Sequence, residues 1–393
     1  MNSHDVIVVG GGVIGASTAY YLSKRGARVM LVEADVMGSG SSGACDGFVI
    51  MQSKAPGPHL RMALASEEMY RTLPEELEYD IEYDGCGGMI IIESPAEFEA
   101  MKSFMASQRE AGLDVELIGG DEARKLEPAL APHIVGATVS GRDGQVNPMR
   151  LVTGYSLAAR RLGLKIERRR KVTGFTGSGG KITGIRTSDG DFHTDRVVCC
   201  TGVHTPELLA PLGIDLPIKP RRGQLIATEP IERLVSRVML CARYIAAKYH
   251  PELLEGSKDE SVRLGVGMAL EQSRSGGLLI GATREFVGFN RGATADGARA
   301  VAAHAARMIP ALKRIRAVRC FAGLRPYTPD GKAFIGAAPG YEGLYVAAGH
   351  EGDGIAYAPI TGRVMSELVI DGTSKEDIMP FALNRFEKPC EKI

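Results

Sequence analysis

The stretch Val6-Ile7-Val8-Val9-Gly10-Gly11-Gly12-Val13-Ile14-Gly15, continued by Ala16-Ser17-Thr18-Ala19-Tyr20-Tyr21-Leu22, decides the fold. Four consecutive β-branched residues read as a strand buried on both faces, the glycines as a tight turn, and the Ala/Leu-rich run as a helix that stops at Gly26. Glycines 10, 12 and 15 match G-x-G-x-x-G: the first permits the turn, the second lets backbone approach a pyrophosphate, and the third lets the helix pack close to the strand. Val13 and Ile14 open a helix whose unpaired N–H groups face the phosphates. A second strand from Arg28 to Val32 ends in Glu33, 18 residues beyond Gly15, where a carboxylate can accept hydrogen bonds from ribose hydroxyls. Strand, turn, helix and acid together predict a dinucleotide-binding unit.

The 49 glycines among 393 residues exceed the ~7 % average, so many tight turns and close backbone approaches are needed. Lys plus Arg equals Asp plus Glu at 47 each, which gives no reason to expect a nucleic-acid partner. No run of ~18 apolar residues predicts a transmembrane segment, and the start of the chain shows no charged leader with an apolar core, so a cytoplasmic protein is expected. Seven cysteines without a C-x-x-C spacing argue against a disulfide framework and against a chain-borne metal or iron–sulfur site.

Further along, Ser41-Ser42-Gly43 lies in a small, polar loop able to run along a ligand. Leu151 to Leu162 reads as a helix, Lys165 to Thr173 and Lys181 to Thr187 as a meander, and Val197 to Cys200 as an apolar strand returning to the first sheet. Nucleotide-domain pieces therefore fall at the start, middle and end of the chain. The expected division is 1–79, 145–219 and 322–393 for that domain, with 80–144 and 220–321 forming a second, mixed domain. Near the C-terminus, Leu344 to Ala348, the cluster Gly349-His350-Glu351-Gly352-Asp353-Gly354 and the run from Ile355 form a second strand–turn–helix unit. Its helix N-terminus has a use if the dinucleotide is FAD, because the positive dipole end can sit at the flavin's pyrimidine edge.

Taken in order, the Gly10/Gly12/Gly15/Glu33 unit, Ser41-Ser42-Gly43, Cys200-Thr201-Gly202, Gly323-Leu324-Arg325-Pro326 and Gly349-His350 through Gly354-Ile355 resemble the D-amino-acid oxidase superfamily over essentially the whole chain. Within it, the sequence is similar to the glycine and sarcosine oxidase branch. Ala44-Cys45-Asp46-Gly47, Asp143 to Pro148 and Gly281-Ala282-Thr283-Arg284-Glu285 are most like the FAD-bearing β, B or C subunits of hetero-oligomeric opine, proline, hydroxyproline or glycine dehydrogenases (hydrogen cyanide synthase type). The resemblance implies an α/β fold: a Rossmann-type FAD-binding domain with an inserted mixed α+β substrate domain. It also implies FAD contacts by Ala34, Val172, Thr201, Gly202, Gly323, Arg325, Gly349, His350, Gly352, Asp353, Gly354 and Ile355, beside the N-terminal residues.

For the reaction, Arg325 is the candidate carboxylate anchor, since a guanidinium fork fixes a carboxylate's position and orientation together. By resemblance Tyr244 stands where the family carries a tyrosine on a substrate-domain strand, and its phenol could add a second hydrogen bond; Ala246-Ala247-Lys248 departs from the usual neighbourhood. His350 could reach the flavin or the substrate amine, or act through backbone alone. The expected activity is oxidation of the C–N bond of a small amino or imino acid to an imine, with electrons passed to a partner redox subunit. Two alternatives stand beside it: a free-standing oxidase producing hydrogen peroxide, and a flavin relay subunit without a substrate pocket, against which a carboxylate anchor argues. Sarcosine oxidase β subunits carry a second flavin on a histidine near the equivalent of Asn147-Pro148, but no histidine lies between His133 and His193. Acid precipitation should therefore release a yellow supernatant, and flavin retained in the pellet would refute non-covalent binding.

Overall fold

A computed structural model describes residues 4–249 and 260–386, without the side chains of 246–249, so Lys248 and Cys390 lie outside what can be placed. Strands Val6–Val9, Val29–Val32, Val197–Cys199, Leu344–Ala348 and Lys165–Glu167 run parallel in one sheet, and Phe334–Ala337 closes its edge antiparallel. Its four β-branched residues alternate between two cores: Val6 and Val8 meet the helices on one face, Ile7 and Val9 the meander side on the other. Burial on both faces is what selects an unbroken apolar strand.

The second sheet has eight strands in the order Ala317–Tyr327, Lys219–Thr228, Leu278–Gly281, Ala269–Gln272, Val238–Cys241, Gly88–Ile92, Gly136–Ser140 and Glu116–Gly119. Only Val238–Cys241 with Gly88–Ile92 pairs parallel. Two expectations are corrected here. The span 165–173 is two strands, because Lys165–Glu167 joins the nucleotide sheet beside Val29–Val32, and only Val172–Ser178 enters the three-stranded meander. The boundaries placed at 220 and 322 fall inside Lys219–Thr228 and Ala317–Tyr327, whose long antiparallel pairing, Lys219 opposite Tyr327 onward, puts both strands in the second sheet. Among the described residues no helix is long and apolar enough to cross a membrane.

The first helix, Val13–Lys24, packs on the last, Gly354–Asp371, where Gly362 leaves room for Ser17: a Cβ there would come within 2.2 Å of its Oγ. Pro359 sits inside the last helix and removes the N–H that Ile355's carbonyl would have accepted. The buried hydroxyl of Tyr70 donates to that carbonyl instead, at 2.6 Å. Tyr70→Phe leaves the carbonyl unpaired and should cost about 1–3 kcal/mol in denaturant unfolding, where an unchanged midpoint would disprove the pairing.

Candidate active site

Gly10 has φ +105°, and a Cβ on it would lie 2.5 Å from the Cys200 carbonyl oxygen; a Cβ on Gly15 would lie 1.9 Å from Gly10's own oxygen. The turn thus closes against both the returning strand and its own helix. At Gly12 a Cβ meets only Ser42 Oγ, at 3.3 Å, so within the protein this position is open. Gly12 is the N-cap and brings no side chain to the helix, while the Ser42 hydroxyl accepts from the Val13 N–H at 3.0 Å. Glu33 is held on the loop: one oxygen accepts from Gly11 N–H at 2.6 Å and the other from Asp35 N–H at 2.8 Å. Ala34 follows it, exposed.

The rest of the expected cofactor set gathers around this turn in part. The Ser41 hydroxyl donates to the Leu324 carbonyl, and Gly323 lies so close to the Ala44 carbonyl that a Cβ would come within 2.2 Å of it. Thr201 lies two residues past the returning strand as the N-cap of a short helical turn that Gly202, at φ +54°, opens. Val172 starts the meander and is buried in its core. At the other unit, Gly349 turns at φ +80° and Asp353 is the N-cap of Gly354–Asp371. Asp353 makes no cap; its Oδ1 accepts from the buried ammonium of Lys54 at 2.7 Å. Lys54, which the sequence did not single out, thereby holds the carboxylate, and the Asp353 side chain makes no cap hydrogen bond to the helix.

Arg325, Tyr244 and Gly352 converge. A Cβ on Gly352 would lie 3.4 Å from Arg325 Nε and 3.5 Å from the Tyr244 hydroxyl. Tyr244 is not on a strand, contrary to expectation. It belongs to the first turn of helix Ala242–Tyr249, directly after strand Val238–Cys241, where the alanines favour helix over strand. The Arg325 guanidinium lies on Gly223, where a Cβ would be 2.2 Å from Nη1, and donates to the Thr283 carbonyl at 2.9 Å. The Gln224 N–H and Glu285 carboxylate hold the Thr283 hydroxyl. His350 is placed elsewhere: its Nε2 meets the Thr361 hydroxyl at 3.1 Å, and burial pulls its pKa down to about 4, so the ring is neutral and turned inward.

Two further arginines flank Arg325. Arg221 stands directly opposite it on the neighbouring strand and ion-pairs with Glu351, a residue at φ +52° in the glycine turn. Burial, then the charges of Arg284 and Arg325, pull Arg221 down to about 9, which leaves it protonated at neutral pH. Arg284 stacks on the Tyr244 ring with Cζ 3.8 Å from the centroid. On the loop side, burial pushes Glu271 well above the usual carboxylate range and raises Asp46, while the Arg325 charge opposes the shift in Asp46. Glu271 accepts from the Gly47 N–H, fixing the loop. Sequence reading did not single out Arg221 or Glu271, and it quoted Arg284 and Glu351 only within their motifs, with no role of their own.

Comparison with known proteins fits this geometry. The family model "FAD dependent oxidoreductase" (DAO) matches residues 5–368. The chain is 30 % identical to hydrogen cyanide synthase subunit HcnC of Pseudomonas protegens, over 98 % of this chain and 96 % of that one. It is also 30 % identical to glycine oxidase of Geobacillus kaustophilus, over 97 % of each. Among solved structures, L-proline dehydrogenase from P. horikoshii superposes with a TM-score of 0.87 at 26 % identity, covering 98 % of each chain.

The two glycines of the first turn should separate in experiment. Gly12→Ala should leave apo stability within ~1 kcal/mol yet weaken dinucleotide binding at least ~10-fold, whereas Gly15→Ala should lower both. Thermal melts and cofactor titration of the two variants check this, and full affinity in Gly12→Ala would remove the turn from the binding site.

Proposed function

The chain belongs to the FAD dependent oxidoreductase family, and on that premise we propose that it oxidises the C–N bond of a small amino or imino acid to an imine and delivers the electrons to a partner redox subunit rather than to oxygen. The residues present fit FAD: a glycine turn open at Gly12, a ribose-range acid at Glu33 held by backbone N–H groups, and a second helix N-terminus from which Asp353 has been withdrawn. Bound FAD supplies a two-electron acceptor for hydride.

The observation that carries the substrate reading is Arg325. Its guanidinium is seated on Gly223 and braced by a fixed carbonyl, so its remaining donors are pre-aimed and a carboxylate gains position and orientation at once. The Tyr244 phenol, beside the same spot, adds a neutral donor. Three guanidiniums against one paired carboxylate, Glu351, and two carboxyls, Asp46 and Glu271, that burial pushes toward the neutral form make the site positive, which disfavours a bound ammonium and promotes the neutral amine from which hydride can leave. The amine's proton passes to solvent, the Cα–H leaves as hydride and the C–N bond becomes an imine.

Similarity to a named synthase subunit and to a proline dehydrogenase supports the partner acceptor, and similarity to glycine oxidases makes oxygen the competing outcome. Turnover with an artificial dye should greatly exceed turnover with oxygen; stoichiometric peroxide from the isolated chain would instead establish an oxidase. Arg325→Lys keeps the charge but not the fork, and should cost ~2–4 kcal/mol in the transition state, roughly 30- to 1,000-fold in kcat/KM, with the flavin spectrum nearly intact. A loss below about threefold would place the anchor elsewhere.

A further inference from the structure

Arg284 is an expensive residue to place where it lies. It is flanked by two glycines that make room for it: a Cβ on Gly265 would lie 2.9 Å from Arg284 Cβ, and one on Gly267 would lie 3.2 Å from its Nη1. Its guanidinium lies over the Tyr244 ring and also hydrogen-bonds that side chain, and Nη1 donates to the Gly265 carbonyl at a long 3.4 Å; none of these partners carries a full negative charge. Burial and the nearby Arg325 charge hold Arg284 below its ordinary value, with Tyr244 opposing.

The acids of the neighbourhood do not neutralise it. Glu285, the next residue, is committed to Arg222, Gln224 and the Thr283 hydroxyl. Glu351 is committed to Arg221. Among the described residues no carboxylate forms an ion pair with Arg284 or with Arg325. Two guanidiniums thus lie around a single tyrosine, one against its ring and one near its hydroxyl, and together they offer donors for more than one carboxylate.

We propose that Arg284 forms a second anion subsite and that the substrate is an amino or imino acid bearing two carboxylates, one held by Arg325 and the other by Arg284. This rests on the amino-acid reading above and narrows its substrate class. The second carboxylate can hang from the side chain, as in glutamate, or from the nitrogen, as in iminodiacetate. Both supply the same chemistry to the subsite, and matched substrates tell them apart.

The test uses the FAD-loaded chain in an anaerobic dye assay with pairs differing by one carboxylate: iminodiacetate against sarcosine, and each enantiomer of glutamate against 2-aminopentanoate. In at least one pair the dicarboxylate should lead in kcat/KM by roughly 30-fold or more, the scale of one charge-assisted pairing, and Arg284→Gln should bring that ratio toward one. A non-oxidisable dicarboxylate, glutarate, should perturb the flavin absorbance of the native protein at lower concentration than butyrate does, and Arg284→Gln should erase the difference. Equal or better use of the monocarboxylate in every pair, or a ratio unmoved by Arg284→Gln, overturns the second subsite and leaves Arg284 as a support for Tyr244. If Arg284→Gln does not fold, the native ratios and the glutarate titration still decide. Reduction by the monocarboxylates alone defeats only this inference, whereas failure of every amino and imino acid to reduce the flavin defeats the proposed function with it.

Discussion

Everything in this molecule hangs on a backbone contact with no side chain in it. Gly10 touches the Cys200 carbonyl, and Gly15 touches Gly10, so strand, helix and the strand returning from the middle of the chain meet within van der Waals distance. That closeness lets segments almost two hundred residues apart share one sheet, and it leaves a hollow at Gly12 just in front of a helix end. The second sheet is then carried as an extension. Its edge strand Ala317–Tyr327 passes beside the loop after Glu33, where Gly323 again gives up its side chain to let the Ala44 carbonyl approach.

The site itself is built against electrostatic preference. Like charges directly opposite on paired antiparallel strands are destabilising, yet Arg221 faces Arg325 in register, with Arg284 close by. Glu351 relieves one of the three, at the cost of a left-handed backbone for a residue that has a Cβ. Such an arrangement persists when the positive field has a use, and an anionic substrate whose amine must be neutral provides one.

The nucleotide half was largely legible in the sequence because its signals are local: a β-branched run and three glycines specify strand, turn and helix without reference to anything far away. Arg325 stood out in its Gly-Leu-Arg-Pro setting, and the structure brings it to Tyr244 and Gly352. What could not be read was the face each side chain would take. Tyr244 was expected on a strand, but the chain turns helical one residue after Cys241. Lys165 to Glu167 was read with the meander because its pairing with Val29–Val32 depends on a partner more than a hundred residues away. Arg221, Glu351 and Lys54 look like surface charges in a list of residues, and only the register of distant strands and the approach of a distant loop bury them.

The withdrawal of Asp353 toward Lys54 has a thermodynamic corollary. Neither Gly12 nor Asp353 caps its helix with a side chain, so both N-termini keep a face toward the candidate cofactor site. A ligand that satisfies them binds the folded chain and not the unfolded one, so it shifts the folding equilibrium by mass action, about 2.7 kcal/mol when its free concentration is a hundred times its dissociation constant. A chain without its cofactor lacks that contribution, so it opens more often than the loaded chain and its folding midpoint depends on cofactor concentration.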